Sequence, residues 1–422
     1  METGTSINTN GYETIKDGSW FSQFRNGYNP WIARYVYGLM FLLANLLAWA
    51  IRDYGRGALT EMRKFKNCKD GLNCLGTEGV LRVSLGCFLF YFIMFLSTAG
   101  TSKTHSTRDK WHSGWWFAKL LMWPCLTIFP FVLPSSVIEL YGEIAHFGAG
   151  VFLLIQLISI ISFITWLNEF FQSQKDAERC HVHVMLLATT AYTLCILGVI
   201  LMYIWYVPDP SCFLNIFFIT WTLFLIQLMT SISLHPKVNA GFLTPALMGL
   251  YIVFICWCAI RSEPVGETCN RKAESSSRTD WLTIISFVVA ILAMVIATFS
   301  TGVDSQCFQF KKDEVQEEDA IPYGYGFFHF VFATGSMYFA MLLIGWNSHH
   351  SMKKWTIDVG WTSTWVRIVN EWLAVCVYSN LDVGGSNSIE EQANNMIGFC
   401  VHLCIEETTQ TFPSAIWIWL GK

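Results

Sequence analysis

Charged residues are scarce in this sequence. Asp, Glu, Lys and Arg make up 14% of its 422 residues, against about 25% in a typical soluble domain. Hydrophobic residues make up 53%, and the mean hydropathy is +0.40. Apolar runs of about twenty residues alternate with short polar stretches, and this is the length that a bilayer core requires of a helix. The composition therefore excludes a soluble globular protein and predicts an α-helical protein that crosses a membrane repeatedly.

Signals for enzymatic chemistry are also missing. The chain contains no Walker A motif, so coupling to ATP is not expected. Cys180, His181 and His183 are the nearest approach to a metal cluster, but the two histidines are two apart and point to different faces of a helix. We therefore expect no cofactor, no metal site and no catalytic residue, and we predict that the protein is not an enzyme.

Nine segments are long and apolar enough to span a membrane as helices. They cover residues 31–51, 80–99, 115–137, 143–171, 182–207, 213–232, 242–260, 281–301 and 327–346. Pro124, Pro130 and Pro134 should kink or break the third segment, because each removes a backbone donor and clashes with the preceding turn. The fourth segment is roughly 43 Å long as a helix, so it must tilt strongly or project into water. We predict an all-α, polytopic transmembrane bundle with one long tilted helix.

A tenth span is expected to be truncated. Residues 365–378 are mainly apolar, but as a helix they reach only roughly 21 Å, and they contain Arg367 and Glu371. A polar stretch begins at Ser379. The predicted regions are a polar cytosolic N-terminus at 1–30, which lacks the apolar core of a cleaved signal peptide, a multi-span membrane domain at 31–378 and an atypical tail at 379–422.

Four cysteines fall in alternate loops that would face the same side of the membrane. They are Cys68, Cys74, Cys212 and Cys269. Because disulfides persist in oxidising compartments, we place these loops in the lumen or outside the cell and the N-terminus in the cytosol. Lys and Arg do not decide the orientation, since their numbers on the two sides are nearly equal. Four cysteines allow three connectivities, and free thiols at interfacial positions are the alternative.

Short stretches distributed along the chain carry a family resemblance. They lie at residues 67–74, 79–84, 141–150, 210–215, 233–236, 323–330 and 361–372. Together they resemble the serine incorporator (Serinc) family, most closely its plant branch, and the resemblance covers residues 20–378. It implies ten helices in two groups divided by one long diagonal helix, with both termini cytosolic. In the family the tenth helix continues in apolar residues beyond the position of Tyr378, where this chain becomes polar.

Polar residues inside the predicted spans are the candidate site, because such residues are costly in lipid and should face the protein interior or water. They are Glu143, His146, Gln156 and Glu169 in the fourth segment and Arg367, Asn370 and Glu371 in the tenth. One interpretation is a polar groove along the long helix, in which a lipid headgroup slides while its tails stay in the bilayer. The other is a set of interhelical hydrogen bonds, with Arg367 and Glu371 paired to each other.

The resemblance implies a role in incorporating serine into phosphatidylserine and sphingolipids, or in passive movement of phospholipids between leaflets. The expected partners are membrane phospholipids, sphingolipids and lipid-synthesising enzymes, with no nucleic acid. The expected location is the plasma membrane or an endomembrane. A secondary transporter or carrier for a small polar solute such as serine is the alternative. Transporters of that kind have interrupted helices at matched positions in two repeated halves, and only the third segment fits this pattern.

Overall fold

Helices form the framework of the protein. The computed structural model describes residues 30–55, 72–101, 103, 106–172, 177–235, 241–264, 269, 281–303, 321–346 and 354–383. The α-helices within these ranges are α1 (Pro30–Tyr54), α2 (Leu72–Thr98), α3 (Thr107–Ser113), α4 (Trp116–Ile128), α5 (Ser135–Gln172), α6 (Ala177–Tyr206), α7 (Phe213–Ser233), α8 (Leu243–Arg261), α9 (Trp281–Val303), α10 (Tyr325–Ile344) and α11 (Trp361–Val383). A 3₁₀ turn, Phe129–Val132, follows α4.

The described helices confirm a polytopic membrane bundle. Eight of them, α1, α2 and α5 to α10, are long and apolar enough to cross a bilayer. α3 together with α4 and its 3₁₀ turn passes the same test only as a pair, and the two parts meet at an angle of 66°, which is the geometry of a broken span or a re-entrant loop. Lipid offers no hydrogen bonds to a backbone, so runs of this length and hydrophobicity satisfy their own polar groups as helices.

The third segment, expected to be kinked or broken by its prolines, is broken, and its helical part does not cover the whole of residues 115–137. Trp115 has a left-handed backbone, with φ of 56°, and separates α3 from α4. Leu133 is extended, with ψ of 150°, because the proline that follows it disfavours the helical conformation. Pro134 therefore ends this segment, and the next helix begins directly after it.

Arg82 on α2 compensates for the broken backbone. Its guanidinium donates to the carbonyl oxygens of Pro130 and Leu133, the latter at 2.8 Å, and forms an ion pair with Glu78 at 2.5 Å. The Arg82 side chain is completely buried. Pro134 has no N–H to donate to the Pro130 carbonyl four residues earlier, so for this carbonyl group the expected partner inside the protein is Arg82.

The long helix begins earlier than residue 143. α5 has 38 residues, or roughly 57 Å, against a bilayer core of about 30 Å, so it must tilt or extend beyond the core. Its first half packs in one hydrophobic core through Tyr141 and Phe152. Its second half packs in another through Leu157 and Ile161. The helix therefore changes from one core to the other near its middle.

Two groups of helices lie on either side of α5. The first contains α1, α2, α4, α9 and α10, and the second contains α6, α7, α8 and α11. α5 contacts helices of both groups. α10 is the centre of the first group, since almost all of its residues are buried. The arrangement agrees with the division that the family resemblance implies.

The last described helix is longer than expected. α11 has 23 residues, roughly 34 Å, rather than the 14 residues between 365 and 378. It starts after Gly360, whose carbonyl oxygen accepts from the Thr364 N–H at 3.0 Å, and it continues beyond Tyr378. The sequence estimate was limited to the mainly apolar stretch, whereas the helix also includes several polar residues at each end. The predictions for residues 1–29 and 384–422 concern parts of the chain outside the described residues.

Candidate functional site

A cavity of about 210 Å³ lies where the two helix groups meet across α5. Its walls come from α5, α8, α9, α10, α11 and the loop between α10 and α11. Most of the lining is apolar, as in Leu153 and Phe254. The polar lining residues are Gln156, Tyr251, Tyr338, Asp358, Arg367 and Asn370. The cavity therefore joins an apolar interior to a small number of hydrogen-bonding and charged groups, as ligand sites usually do.

The crossing of α5 positions the cavity. Gln156 lies between Phe152, which packs in the first core, and Leu157, which packs in the second. Ser159, one turn further along α5, is buried, and its hydroxyl has no hydrogen-bond partner among the described residues. Because residues three apart share a face of a helix, α5 presents polar groups to the junction at the point where it leaves one core for the other.

An ion pair forms the charged part of the wall. Arg367 Nε donates to Asp358 Oδ2 at 2.6 Å, and Arg367 Nη2 contacts the same oxygen. The two side chains are 17% and 6% exposed, respectively. Water solvates the two charges poorly at this position, so each charge is stabilised mainly by the other.

The loop that carries Asp358 is tied to both helix groups. The Asp358 N–H donates to the carbonyl oxygen of Leu342 on α10 at 2.8 Å. The Gly360 N–H donates to that of Ser262, after α8, at 2.7 Å. Asp358 has a φ of 56° and Gly360 a φ of 138°, and the second value suits glycine because it lacks a Cβ. These anchors fix the carboxylate beside Arg367.

Asn370 and Tyr251 complete the polar wall. Asn370 Nδ2 donates to the Tyr251 hydroxyl at 3.5 Å, a long contact across the interface between α11 and α8. Asn370 lies nearly one turn after Arg367 on α11. The amide, the phenol and the guanidinium therefore form one polar strip that faces Gln156 from the second helix group.

The structure brings together three of the seven residues predicted for a polar groove, namely Gln156, Arg367 and Asn370. The others lie elsewhere. Glu143 and Glu169 are exposed on α5 and do not line the cavity. The ring nitrogens of His146 lie 2.7 and 3.3 Å from the carbonyl oxygens of Gly142 and Trp346. Of the four polar residues predicted on α5, only Gln156 lines the cavity at the crossover, so the expected groove along the whole helix is not formed by these residues.

The expected pairing of Arg367 with Glu371 is wrong. Glu371 is buried on another side of α11, where its Oε1 lies 2.7 Å from the Thr222 hydroxyl of α7. Asp358 takes its place as the partner of Arg367, because the loop before α11 folds back over the helix. Sequence reasoning also missed Tyr251 and Tyr338. A buried arginine needs an anion, and Asp358, nine residues earlier, was the available signal.

A second buried polar cluster lies at the opposite end of α10. His112 Nδ1 is 3.0 Å from His329 Nε2, and His112 Nε2 is 2.9 Å from the Tyr323 hydroxyl. Tyr323 donates its single hydroxyl proton to the carbonyl oxygen of Pro30 at 3.0 Å. Lys119 Nζ donates to the carbonyl oxygens of His112 and Gly114. This cluster joins α1, α3, α4 and α10, and its contacts are those of a structural brace.

A disulfide joins Cys212 and Cys269, two of the four cysteines predicted to face one compartment. The first precedes α7 and the second follows α8, so two consecutive spans place them on the same side of the membrane. Cys68 lies outside the described residues, and the side chain of Cys74 is not described. The oxidising compartment of these loops stays a prediction.

Known proteins are similar in sequence to this chain over most of its length. The family model described as Serine incorporator (Serinc) matches residues 18–318 and 304–381. A probable serine incorporator from Dictyostelium discoideum is 27% identical over 339 residues, which cover 74% of this chain and 81% of that protein. Serine incorporator 3 from Bos taurus is 22% identical over 433 residues, covering 84% of this chain and 90% of that protein. The chain is an integral membrane protein that belongs to the serine incorporator family.

Proposed function

We propose that this protein moves phospholipids passively between the two leaflets, with the headgroup passing through the cavity at the α5 crossover. The observation that carries the proposal is the combination of the Arg367–Asp358 pair, Asn370 and Gln156 in a cavity whose remaining walls are mainly apolar. A headgroup loses its hydration inside the bilayer, and polar side chains at this depth replace part of it. The acyl chains can stay in lipid throughout.

The junction between two helix groups suits this movement. Phe254, in the α8 part of the cavity wall, is 53% exposed, so neighbouring helices do not cover this side chain of the wall. A headgroup that enters from the side needs only local rearrangement of such residues. Movement down a concentration gradient needs no energy source, so the proposal invokes no nucleotide.

A carrier for a small zwitterion such as serine is the second candidate. The specific observation in its favour is that Arg367 and Asp358 offer opposite charges within one cavity. An amino acid carries a carboxylate that suits the first and an ammonium group that suits the second. The relatives are named serine incorporators, and support of serine incorporation into phosphatidylserine and sphingolipids, through contact with lipid-synthesising enzymes, would use the same site.

Reconstitution tests the proposal. The purified protein is placed in liposomes with a tail-labelled fluorescent phospholipid, and dithionite is added outside without ATP. We expect the signal to fall below the half that protein-free vesicles retain, because inner-leaflet lipid reaches the reagent. Gln156→Leu and Asn370→Leu should slow this loss, whereas Glu139→Gln, at an exposed position on α5, serves as the matched control. Retention equal to that of protein-free vesicles would refute the proposal, and labelled serine trapped inside the vesicles would favour the carrier.

A further inference from the structure

The Asp358 carboxylate has unused capacity to accept hydrogen bonds. Arg367 Nε and Nη2 both engage Oδ2, while Oδ1 is buried and has no hydrogen-bond partner among the described residues. An ionised carboxylate accepts about four hydrogen bonds, and buried polar atoms in native proteins nearly always have a partner. The side chain is only 6% exposed and belongs to the cavity wall. A donor that enters the cavity would therefore gain a charged acceptor that the protein itself leaves incomplete.

Arg367, which lies beside Asp358, indicates which other chemical group the ligand must carry. Arg367 lies in the same wall and is less buried than Asp358. A guanidinium binds phosphate or carboxylate oxygens through parallel N–H donors. A ligand that satisfies both residues must carry an anionic group next to a cationic donor. Such a ligand also keeps the site neutral, which matters because an uncompensated charge is costly at this depth.

We propose that this cavity selects primary-amine zwitterions, with the ammonium group on Asp358 and the adjoining phosphate or carboxylate on Arg367. As a statement about lipids, the inference rests on the proposed lipid movement, but the same chemistry applies to a free amino acid. A primary ammonium group has three N–H donors. Choline has the same charge and none, and a glycerol headgroup has no cation. Choline therefore cannot donate a hydrogen bond to Asp358 Oδ1, and glycerol can donate only through uncharged hydroxyl groups.

The aromatic lining does not offer an alternative site for choline. Quaternary ammonium groups bind against the open faces of several rings. Here Tyr338 stacks on Phe152 with ring centroids 5.0 Å apart, and it meets the Trp346 ring edge-on at 6.3 Å. Tyr338 and Trp346 therefore do not form an open aromatic cage, and Asp358 is the anionic group in the wall that can distinguish between headgroup cations.

A methylation series tests this selection without changing the charge. Phosphatidylethanolamine and its N-methyl, N,N-dimethyl and N,N,N-trimethyl derivatives, with identical acyl chains and label, are compared in the liposome assay. We expect the rate to fall as N–H donors are removed, by about tenfold over the series, which corresponds to about 1.4 kcal/mol. Phosphatidylserine and phosphatidylglycerol carry the same net negative charge, but only the first has a primary ammonium group, so phosphatidylserine should move faster than phosphatidylglycerol.

Variants assign the preference to Asp358. Asp358→Asn removes the anionic acceptor but keeps the side-chain size, and it should make the four lipids move at similar rates. Glu139→Gln makes the same chemical change at an exposed position on α5 and should keep the tenfold preference. Size-exclusion profiles confirm that each variant is folded. Equal rates for the whole series in the parent protein, or an unchanged preference in Asp358→Asn, would overturn the inference while leaving lipid movement intact.

A binding measurement separates the two sources of the amine. Radiolabelled serine is added to the purified protein in detergent, and in a parallel arm unlabelled serine is added to the liposome assay. Lipid selectivity without serine binding identifies the headgroup as the ligand. Serine binding that is lost in Asp358→Asn, without movement of any lipid, supports the amine site but refutes the proposed function. If the protein neither moves lipid nor binds serine, the amine site and the proposed function are both refuted.

Discussion

Removing one or both charges of the Arg367–Asp358 pair should affect stability and lipid movement differently. Replacing Arg367 alone with methionine leaves a buried carboxylate, 6% exposed, without its cation. Removing one partner of a buried ion pair typically costs about 3 to 5 kcal/mol. The double variant Arg367→Met/Asp358→Leu removes both charges, which is often neutral or stabilising, and adds only the smaller cost of leucine at the left-handed backbone of residue 358. We therefore expect the double variant to be close to the parent in stability and the single variant to be far below it.

The same two variants separate folding from lipid movement. Thermal unfolding in detergent, followed by the loss of the monodisperse size-exclusion peak, should rank the parent and the double variant together above the single variant. In liposomes the double variant should move lipid much more slowly than the parent, because the polar wall has become apolar. A single variant as stable as the parent would show that the pair is well solvated. A stable double variant with full activity would remove the pair from the pathway.

Other predictions concern the packing and the loops. Gly86→Ala should destabilise the protein, because a Cβ there would lie 2.6 Å from backbone atoms of α4. A Cβ at Gly150 on α5 would meet nothing within 4 Å, so Gly150→Ala should be neutral or stabilising by up to about 1 kcal/mol. Equal melting temperatures for the two variants would contradict this reasoning. Cys212 and Cys269 should resist alkylation in intact membranes until a reductant is added, because they are bonded to each other. Cys125, an exposed cysteine outside the disulfide, serves as the positive control in detergent, and ready labelling of the pair without reductant would contradict the disulfide.

Much of the fold could be predicted because the bilayer restricts the alternatives. An apolar run of twenty residues must be a helix in lipid, so the existence of the spans follows from hydropathy. Their ends do not. Ser135 begins α5 only because Pro134 stops the preceding turn, and polar residues extend α11 on both sides of its apolar part. Such ends depend on local backbone geometry and on tertiary contacts, which hydropathy does not contain.

The site was predictable in part for a similar reason. Gln156, Arg367 and Asn370 are recognisable because polar groups inside a span must face protein or water. Their partners are not recognisable, since pairing depends on how a loop folds. Arg367 and Glu371 have the spacing of a helical ion pair, yet Asp358 occupies the position beside the guanidinium. Spacing along one helix predicts which side chains can meet, and the rest of the fold decides which of them do.

The change of core along α5 explains why the polar residues collect where they do. A helix that packs on one core through Phe152 and on another through Leu157 turns different faces to each, and Gln156, which lies at this change, is only partly buried. Such a position tolerates polar side chains, because a cavity or a ligand can meet their needs there. The loop carrying Asp358 is anchored to α10 in one group and to the end of α8 in the other, so a shift of the groups about α5 would move this carboxylate relative to Gln156. The charged wall of the cavity is therefore built from elements that would move in such a shift. The proposed passage of a headgroup needs a site of this kind, because the headgroup must enter from one side of the membrane and leave on the other.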